Sequence, residues 1–405
     1  MKNIIIFGTG QSSKIVLNAL NKNNVNIVAF ADNNFNKHGT IFEGVQVKNP
    51  KELINMEFDY IIIAIIKFLP VQKQLLEIGI SEGKIVPYFN IDIMDNEKLE
   101  HLLDWNKVIR DNYKIKFKQL TIKMQNLPYE IIDAPQRYVP QVKNIVETME
   151  TLINSNVSIS RFGDGEVKLM AGQDIGFQKA GPLLAERLKE VLISSLDKHI
   201  VGILNVFGNL DEYTEDLQNY FREYLYDYRE FQYSMFNREK TYYDAFITRP
   251  YISYKDRHHA KAIFENFKKI WCGSNVVIVE GDRTRLGRGN DLLDNVKSCE
   301  RIICPNENAF EVYDRILNSI RKQNKDKLIL LALGPTATIL AYDLAKEGYW
   351  AVDIGHIDIE YEWCLMEAKE KVVVKNKYTN EAYGGNSKAD LVDEEYEAQI
   401  IDRIG

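Results

Sequence analysis

Cysteine is scarce. The 405 residues contain four, Cys272, Cys299, Cys304 and Cys364, with no C-x-x-C pair and no histidine at zinc-ligand spacing. That excludes a disulfide scaffold or a zinc ribbon and leaves reduced, mostly buried thiols of a cytosolic protein. Long apolar runs are missing too. None approaches the roughly 20 residues that a membrane span needs, and Met1-Lys2-Asn3-Ile4-Ile5-Ile6 lacks the h-region and cleavage site of a signal peptide. A cytoplasmic chain without a transmembrane segment is expected. Positive charge is in deficit, with 51 Lys and Arg against 58 Asp and Glu and a net charge of −7. General binding to nucleic acid or to an anionic membrane is thereby excluded. Any phosphate site must be a local cluster of arginines and backbone N–H groups.

What remains is an ordinary globular composition, 45% hydrophobic and 27% charged, long enough for two or three domains. The fold class expected is α/β: two Rossmann-like domains with mainly parallel sheets, joined by a helical connector. The boundaries read are 1–92 for the first domain, 93–142 for the connector, 143–376 for the second domain and 377–405 for a tail.

In the first domain a buried-type strand over 3–7 runs into Gly8-Thr9-Gly10-Gln11-Ser12-Ser13, an amphipathic stretch over 14–22, and a strand over 25–31 ending at Asp32. This is the order of a dinucleotide or nucleotide-sugar fold, in which a glycine turn brings phosphate to a helix N-terminus. Ser13 replaces the third glycine. Gly8, Gly10, Gln11 and Ser12 are the candidate phosphate contacts, and Asp32 could hold a ribose hydroxyl. Further strands are expected over 60–66 and 84–86 with a helix over 71–78. The stretch 32–47, with His38-Gly39 and Gly44-Val45, resembles the first domain of bacterial sugar-modifying enzymes. A charged amphipathic helix over 95–123 follows, carrying Lys114, Lys116, Lys118 and Lys123 and read as a solvated basic face. Pro128, Pro135 and Pro140 punctuate a linker.

The second domain centres on Ser160-Arg161-Phe162-Gly163-Asp164-Gly165-Glu166, at the end of a strand. Asp164 and Glu166 can serve one hard divalent cation, which in turn offsets charge on a leaving diphosphate; the plainer reading is a turn that opens a helix. An aromatic-rich stretch over 213–243 offers rings that stack on sugars or pack a core. Thr248-Arg249-Pro250 and the loop Arg283-Thr284-Arg285-Leu286-Gly287-Arg288 supply bidentate phosphate donors after buried strands. A strand over 327–332 leads into Gly334-Pro335-Thr336, at a helix start that favours an anion. This run through Gly355 is a second Rossmann-type unit. Beyond its last strand, His356, Asp358 and Glu360 share one face if the segment is extended, where open α/β sheets place ligands. The tail is expected to end in an acidic helix over 390–399.

Taken together, the Arg161–Glu166, Thr248–Pro250, Arg283–Gly287, Gly334–Ala337 and Asp353–Trp363 segments resemble the GT-D fold glycosyltransferases, over roughly 145–375. The resemblance implies a transfer dependent on Mn²⁺ or Mg²⁺ from a UDP-sugar, typically UDP-glucose, to a glycan or glycoprotein acceptor in surface glycoprotein or polysaccharide biosynthesis. It assigns Asp164 and Glu166 to the metal, and Arg161, Gly163, Arg249, Arg283, Thr284, Arg285, Gly334, Pro335 and Thr336 to the donor. His356, Asp358 or Glu360 would then take the acceptor proton, and a homo-oligomer is compatible. Two other readings are a nucleotide-sensing module on the Gly8 turn and an NAD-dependent sugar oxidoreductase.

Overall fold

The computed structural model describes residues 1–90, 99, 101–131, 138–379 and 393–405. Pro135, the Gly384-Gly385-Asn386 segment and the expected starts of two helices at Asp95 and Asp390 lie outside them. The chain divides into two compact units, Met1–Lys123 and Met124–Gly405. That division falls earlier than the boundary expected near 142. The reason is a single long helix that runs through both the connector and the supposed linker.

In the first unit β1 (Lys2–Phe7) leads through a glycine turn into α1 (Gln11–Ala19) and β2 (Val25–Ala31). A short antiparallel hairpin, β3 (Ile41–Phe42) and β4 (Val45–Lys48), turns at Glu43-Gly44, both at positive φ. The sequence pattern had not distinguished it. Then come β5 (Tyr60–Ile63), α2 (Leu69–Glu77) and β6 (Ile85–Pro87). The sheet order is β3-β4-β2-β1-β5-β6, parallel except at the hairpin. Ile4, Ile5, Ile6 and Phe7 are all fully buried, as a strand covered by helices on both faces requires. Helix α3 (Trp105–Glu130) begins in this unit and runs past its end at Lys123, with Pro128 in its interior rather than in a linker.

The second unit is one eight-stranded sheet. Its elements are α4 (Ile145–Ser155), β7 (Ser158–Arg161), α5 (Asp164–Met170), α6 (Pro182–Ile193), β8 (His199–Ile203), α7 (Glu215–Met235), β9 (Tyr243–Asp244) and α8 (Ala260–Trp271). They continue with β10 (Asn275–Gly281), β11 (Ser298–Cys304), α9 (Tyr313–Ile320), β12 (Leu328–Ala332), α10 (Pro335–Lys346), β13 (Trp350–Asp353), α11 (Ile357–Leu365), α12 (Glu394–Ala398) and β14 (Ile400–Arg403). All strands are parallel, in the order β14-β11-β10-β12-β13-β7-β8-β9. The expected tail is therefore partly structural: its last residues add an edge strand beside β11. The aromatic-rich stretch forms α7, whose Phe221, Tyr224 and Tyr228 pack into the core with Tyr213 and Phe246.

The sheet order positions the site. From β7 the chain moves to β8 and β9 on one side, whereas β10 begins three strands away on the other. The β10-β12-β13-β7 quartet therefore sits between connections that leave in opposite directions, the arrangement that opens a crevice at the carboxyl ends of parallel strands. With neighbouring strands about 4.8 Å apart, the four ends span roughly 14 Å.

Candidate active site

Each of these strands ends in one of the polar segments singled out in the sequence. β7 stops at Arg161 because Gly163 caps the next helix: Glu166, three residues on, accepts the Gly163 N–H at 2.7 Å in a capping box. Asp164 opens α5, and Lys168 one turn later donates to its Oδ2 at 2.6 Å; the Tyr220 hydroxyl of α7 donates to the same oxygen. Burial alone would raise the Asp164 carboxyl. The bonds from Lys168 and Tyr220, with the Arg249 charge nearby, instead hold it below the ordinary carboxylate range. Glu166 has the opposite fate. It is 9% exposed, and burial, reinforced by Asp353 and Asp164, pushes it up to about 7 against two backbone N–H bonds.

The helix changes how the two acids relate. Residues two apart on an α-helix point about 200° away from each other, so Asp164 faces Tyr220 while Glu166 turns back beneath Gly163. The recorded bonds to Asp164 fall on Oδ2, which leaves Oδ1 for a ligand. The Asp164 carboxylate would hold a divalent cation only together with ligands from outside the protein, as Mg²⁺ sites commonly do. Among the described residues no group of three or more His, Cys, Asp or Glu side chains is placed to cage a metal.

Arg161 is anchored in the protein. Its guanidinium bonds Asp353 Oδ1 at 2.8 Å and the Asp353 and Ala245 carbonyls at 2.8 and 3.2 Å, while its backbone N–H reaches Asp353 Oδ2. Gly355 is required beside it: at φ 45°, a Cβ there would lie 1.9 Å from Nη2 of Arg161. The pair thus ties β7 to β13 and forms the floor of the crevice. The turn after β12 approaches from one side. Gly334, at φ 51°, lies against the Phe177 ring, whose nearest carbon would be 2.7 Å from a Cβ. Phe177 belongs to the loop that follows α5, so the acidic segment and the Gly-Pro-Thr turn are brought together. Thr336, in the first turn of α10, and Thr248, beside Arg249, are fully buried with hydroxyls that make no hydrogen bond.

The glycine-rich loop after β10 is held from beneath. Glu280 and Arg301, both buried, pair at 2.5 Å. Glu280 also accepts the Leu286 N–H and the Tyr396 hydroxyl, and Arg301 donates to the Leu286 carbonyl. Tyr396 lies between Arg301 and Arg285, 4.7 Å from each guanidinium. Arg285, at φ 50°, and Arg288 both bond Asp393. Two of the three loop arginines are therefore occupied by the protein. Arg283 differs: its buried Nε lies 3.9 Å from Asp282 Oδ1 and makes no hydrogen bond among the described residues.

The segment after β13 is helical, α11, and not extended. His356 precedes its first residue at the crevice edge, half-buried, while Asp358 and Glu360 turn to different sides. Asp358 is buried against Lys377, which it meets at 2.7 and 2.8 Å, and accepts the Gly287 N–H. Glu360 accepts the N–H groups of Tyr251 and Ile252. The alternation of polar and apolar residues misled here because α11 is buried nearly all round, so its buried carboxylates follow local partners rather than a period. Lys168, Phe177, Lys377 and Asp393 were not singled out from the sequence, and Tyr220 and Asp353 entered only as members of the aromatic-rich stretch and of the Asp353–Trp363 segment. Lys168 carried a further signal, its i+4 spacing from Asp164 on a helix.

In the first unit Gly8 takes φ 109°, and the Ser13 hydroxyl, in place of the third glycine, donates to its carbonyl at 2.8 Å. Gly10 caps α1, with Gln11 and Ser12 in its first turn. Asp32 is already engaged: it accepts the N–H and hydroxyl of Thr9, and Lys37 at 3.2 Å. A shallow depression of about 400 Å³ lies at the other end of the large sheet's strands, lined by Arg187, Glu190, Arg321, Asp343, Lys346 and Glu347. These charges pair with one another, so it is a surface ion-pair network. All four cysteines are free: Cys304 and Cys364 are buried, Cys299 is half-buried and Cys272 is exposed.

Comparison with known proteins agrees with this geometry. Residues 159–382 match the model of the glycosyltransferase GT-D fold, and residues 1–86 match that of the C2185-like N-terminal domain. The chain is 37% identical over 268 residues, 66% of its length, to a protein named probable glycosyl transferase Gly from Streptococcus gordonii. It is also 37% identical over 288 residues to glycosyltransferase GlyD from Streptococcus pneumoniae serotype 4. The chain spans little more than a third of those relatives, 39% and 34% of their lengths. A solved structure described as domain of unknown function 1792 with a distinct glycosyltransferase fold superposes with a TM-score of 0.64 at 37% identity, covering 71% of this chain and all of that one. Another, described as a new glycosyltransferase of that domain from Streptococcus sanguinis, covers 66% of this chain at the same TM-score and identity. From its strand order, its polar strand ends and these likenesses, the chain belongs to the GT-D fold glycosyltransferase family.

Proposed function

We propose that the second unit transfers a sugar, glucose in the first instance, from a UDP-sugar to a glycan or glycoprotein acceptor. The observation that carries the reading is the meeting of Asp164, Arg249 and the Gly334-Pro335-Thr336 turn at the carboxyl ends of β7 and β12, beside Phe177. Breaking the sugar–phosphate bond builds negative charge on the departing UDP, and fixed positive charge and N–H dipoles aimed there lower the barrier. A Mn²⁺ or Mg²⁺ ion at Asp164 would supply part of that charge when bound. Arg249 and Arg283 supply more, and the first turn of α10 offers the Thr336 N–H, since Pro335 has none and that of Ala337 bonds the Gly334 carbonyl at 2.9 Å; the Thr336 and Thr248 hydroxyls are fully buried. Arg161 and Arg285 hold the floor and the loop in place. Glu166 stands behind the bend it caps. Among the three residues considered for the acceptor proton, His356 is favoured by its position at the crevice edge, because Asp358 and Glu360 are buried among structural partners.

The test is turnover of UDP-glucose by the full chain with Mn²⁺ present. Asp164→Asn keeps the bonds from Lys168 and Tyr220 within reach but removes the charge, and should reduce turnover at least 100-fold with an unchanged thermal transition. Undiminished turnover would refute the reading. A nucleotide-binding role for the first unit finds support in the Gly8 turn at the start of α1; the occupied Asp32 weighs against its NAD form.

A further inference from the structure

Helix α3 is amphipathic twice over. One stripe, Val108, Asn112, Ile122 and Asn126, is buried, with Asn112 donating to the Tyr88 carbonyl and Asn126 to that of Arg222. A second stripe points to solvent. Tyr113, Phe117, Leu120, Met124 and Leu127 are all exposed, Phe117 by 72% and Met124 by 64%. Their spacing runs 4, 3, 4, 3, the alternation of a coiled-coil seam. An ordinary surface helix does not leave five large apolar side chains in line facing water.

We infer that this stripe is the seam of a parallel homodimer, with α3 of a second copy as its occupant. Three observations select that partner. The first is period. At 100° per residue the five positions lie within about 80° of the helix circumference, narrower than the broad apolar face of a helix lying on a membrane. The second is charge. Taking Phe117 and Met124 as a and Tyr113, Leu120 and Leu127 as d, the flanking pairs between parallel copies are Ile109 with Lys114, Lys116 with Thr121, and Lys123 with Pro128. No lysine then faces a lysine, whereas an antiparallel pair centred near Leu120 would set Lys116 against Lys123. The third is area. Side chains of this size, exposed by 47% to 72%, would each bury on the order of 100 Å². That gives about 1,000 Å² over two copies, the least that a specific interface needs. Pro128 falls at an e position, outside the seam, and the seam ahead of it is unbroken helix. The inference does not depend on the sugar-transfer reading.

Sedimentation equilibrium of the full chain should give twice the chain mass over a concentration series, and Phe117→Glu with Leu120→Glu should give the single-chain mass with an unchanged far-ultraviolet spectrum. In a Cys272→Ser background, Leu120→Cys should form a disulfide-linked dimer on mild oxidation, because a parallel seam sets each d residue opposite itself. A wild-type chain that stays at single mass overturns the proposal, as does a dimer that survives the double glutamate change. A single-mass chain that floats with phosphatidylserine vesicles but not with phosphatidylcholine vesicles also overturns it, assigning the stripe to an anionic membrane instead. UDP-glucose turnover, measured alongside, keeps the outcome separate from that of the Asp164 test.

Discussion

At the scale of single residues the site is a set of opposed protonation states. Asp164 is held ionised by Lys168 and Tyr220, whereas Glu166 is lifted to about 7 by burial first and by its acidic neighbours second. The sign of the consequence follows. Its folded value lies above the ordinary 4.5, so the folded state holds the proton more tightly than the unfolded chain. Its favourable contribution is complete below about pH 4.5 and is lost as pH rises through 7. Glu166→Gln keeps an acceptor for the Gly163 N–H without the charge. Between pH 5 and 7.5 the variant should gain on the wild type by on the order of 2–3 kcal/mol in urea unfolding. Asp244, also buried and raised to about 7, is common to both proteins and cancels in the difference. A constant difference across that range would show that Glu166 stays ionised in the folded protein. Residues were also where the sequence was most and least legible. Asp164 and the Gly334 turn declared themselves by composition. The anchoring of Arg161 and Arg285 did not, because Asp353 and Asp393 lie 192 and 108 residues from the arginines they hold.

At the scale of elements, strands buried on both faces were read within about three residues, since continuous apolar runs have no other home. The failures were of two kinds. The β3–β4 hairpin was too short to carry a period. The segment after β13 alternates in polarity yet forms α11, because its acids are buried in pairs with a cation and N–H groups. That helix is fixed by Lys377, 3% exposed on its side chain and within 2.8 Å of both Asp358 and Glu362. Lys377→Met would leave two acids buried without their cation and should cost about 3–5 kcal/mol. Adding Asp358→Asn should return part of that loss, since the amide carries no charge to strand. Denaturant midpoints of the single and double variants decide the matter; a single variant as stable as wild type would mean that Asp358 and Glu362 find other partners.

At the scale of the molecule, the all-parallel sheet explains why the motifs converge although they are scattered over 200 residues of sequence: parallel strands send every carboxyl end to the same edge. The chain order also forces β7, the first strand of the large sheet, to pair with β13, nearly the last, and the Trp350 indole bonds the Val157 carbonyl across 193 positions. Loops of that length close late and slowly. On dilution from urea, the signal of tryptophan burial and the return of UDP-glucose turnover should share their slowest phase. Turnover that recovers ahead of it would separate the two events. The Arg161–Asp353 clasp is thus a checkpoint as well as a floor. A nascent or damaged copy in which those two strands have not yet met lacks the crevice floor, and with it the seat of the proposed donor, until its architecture is complete.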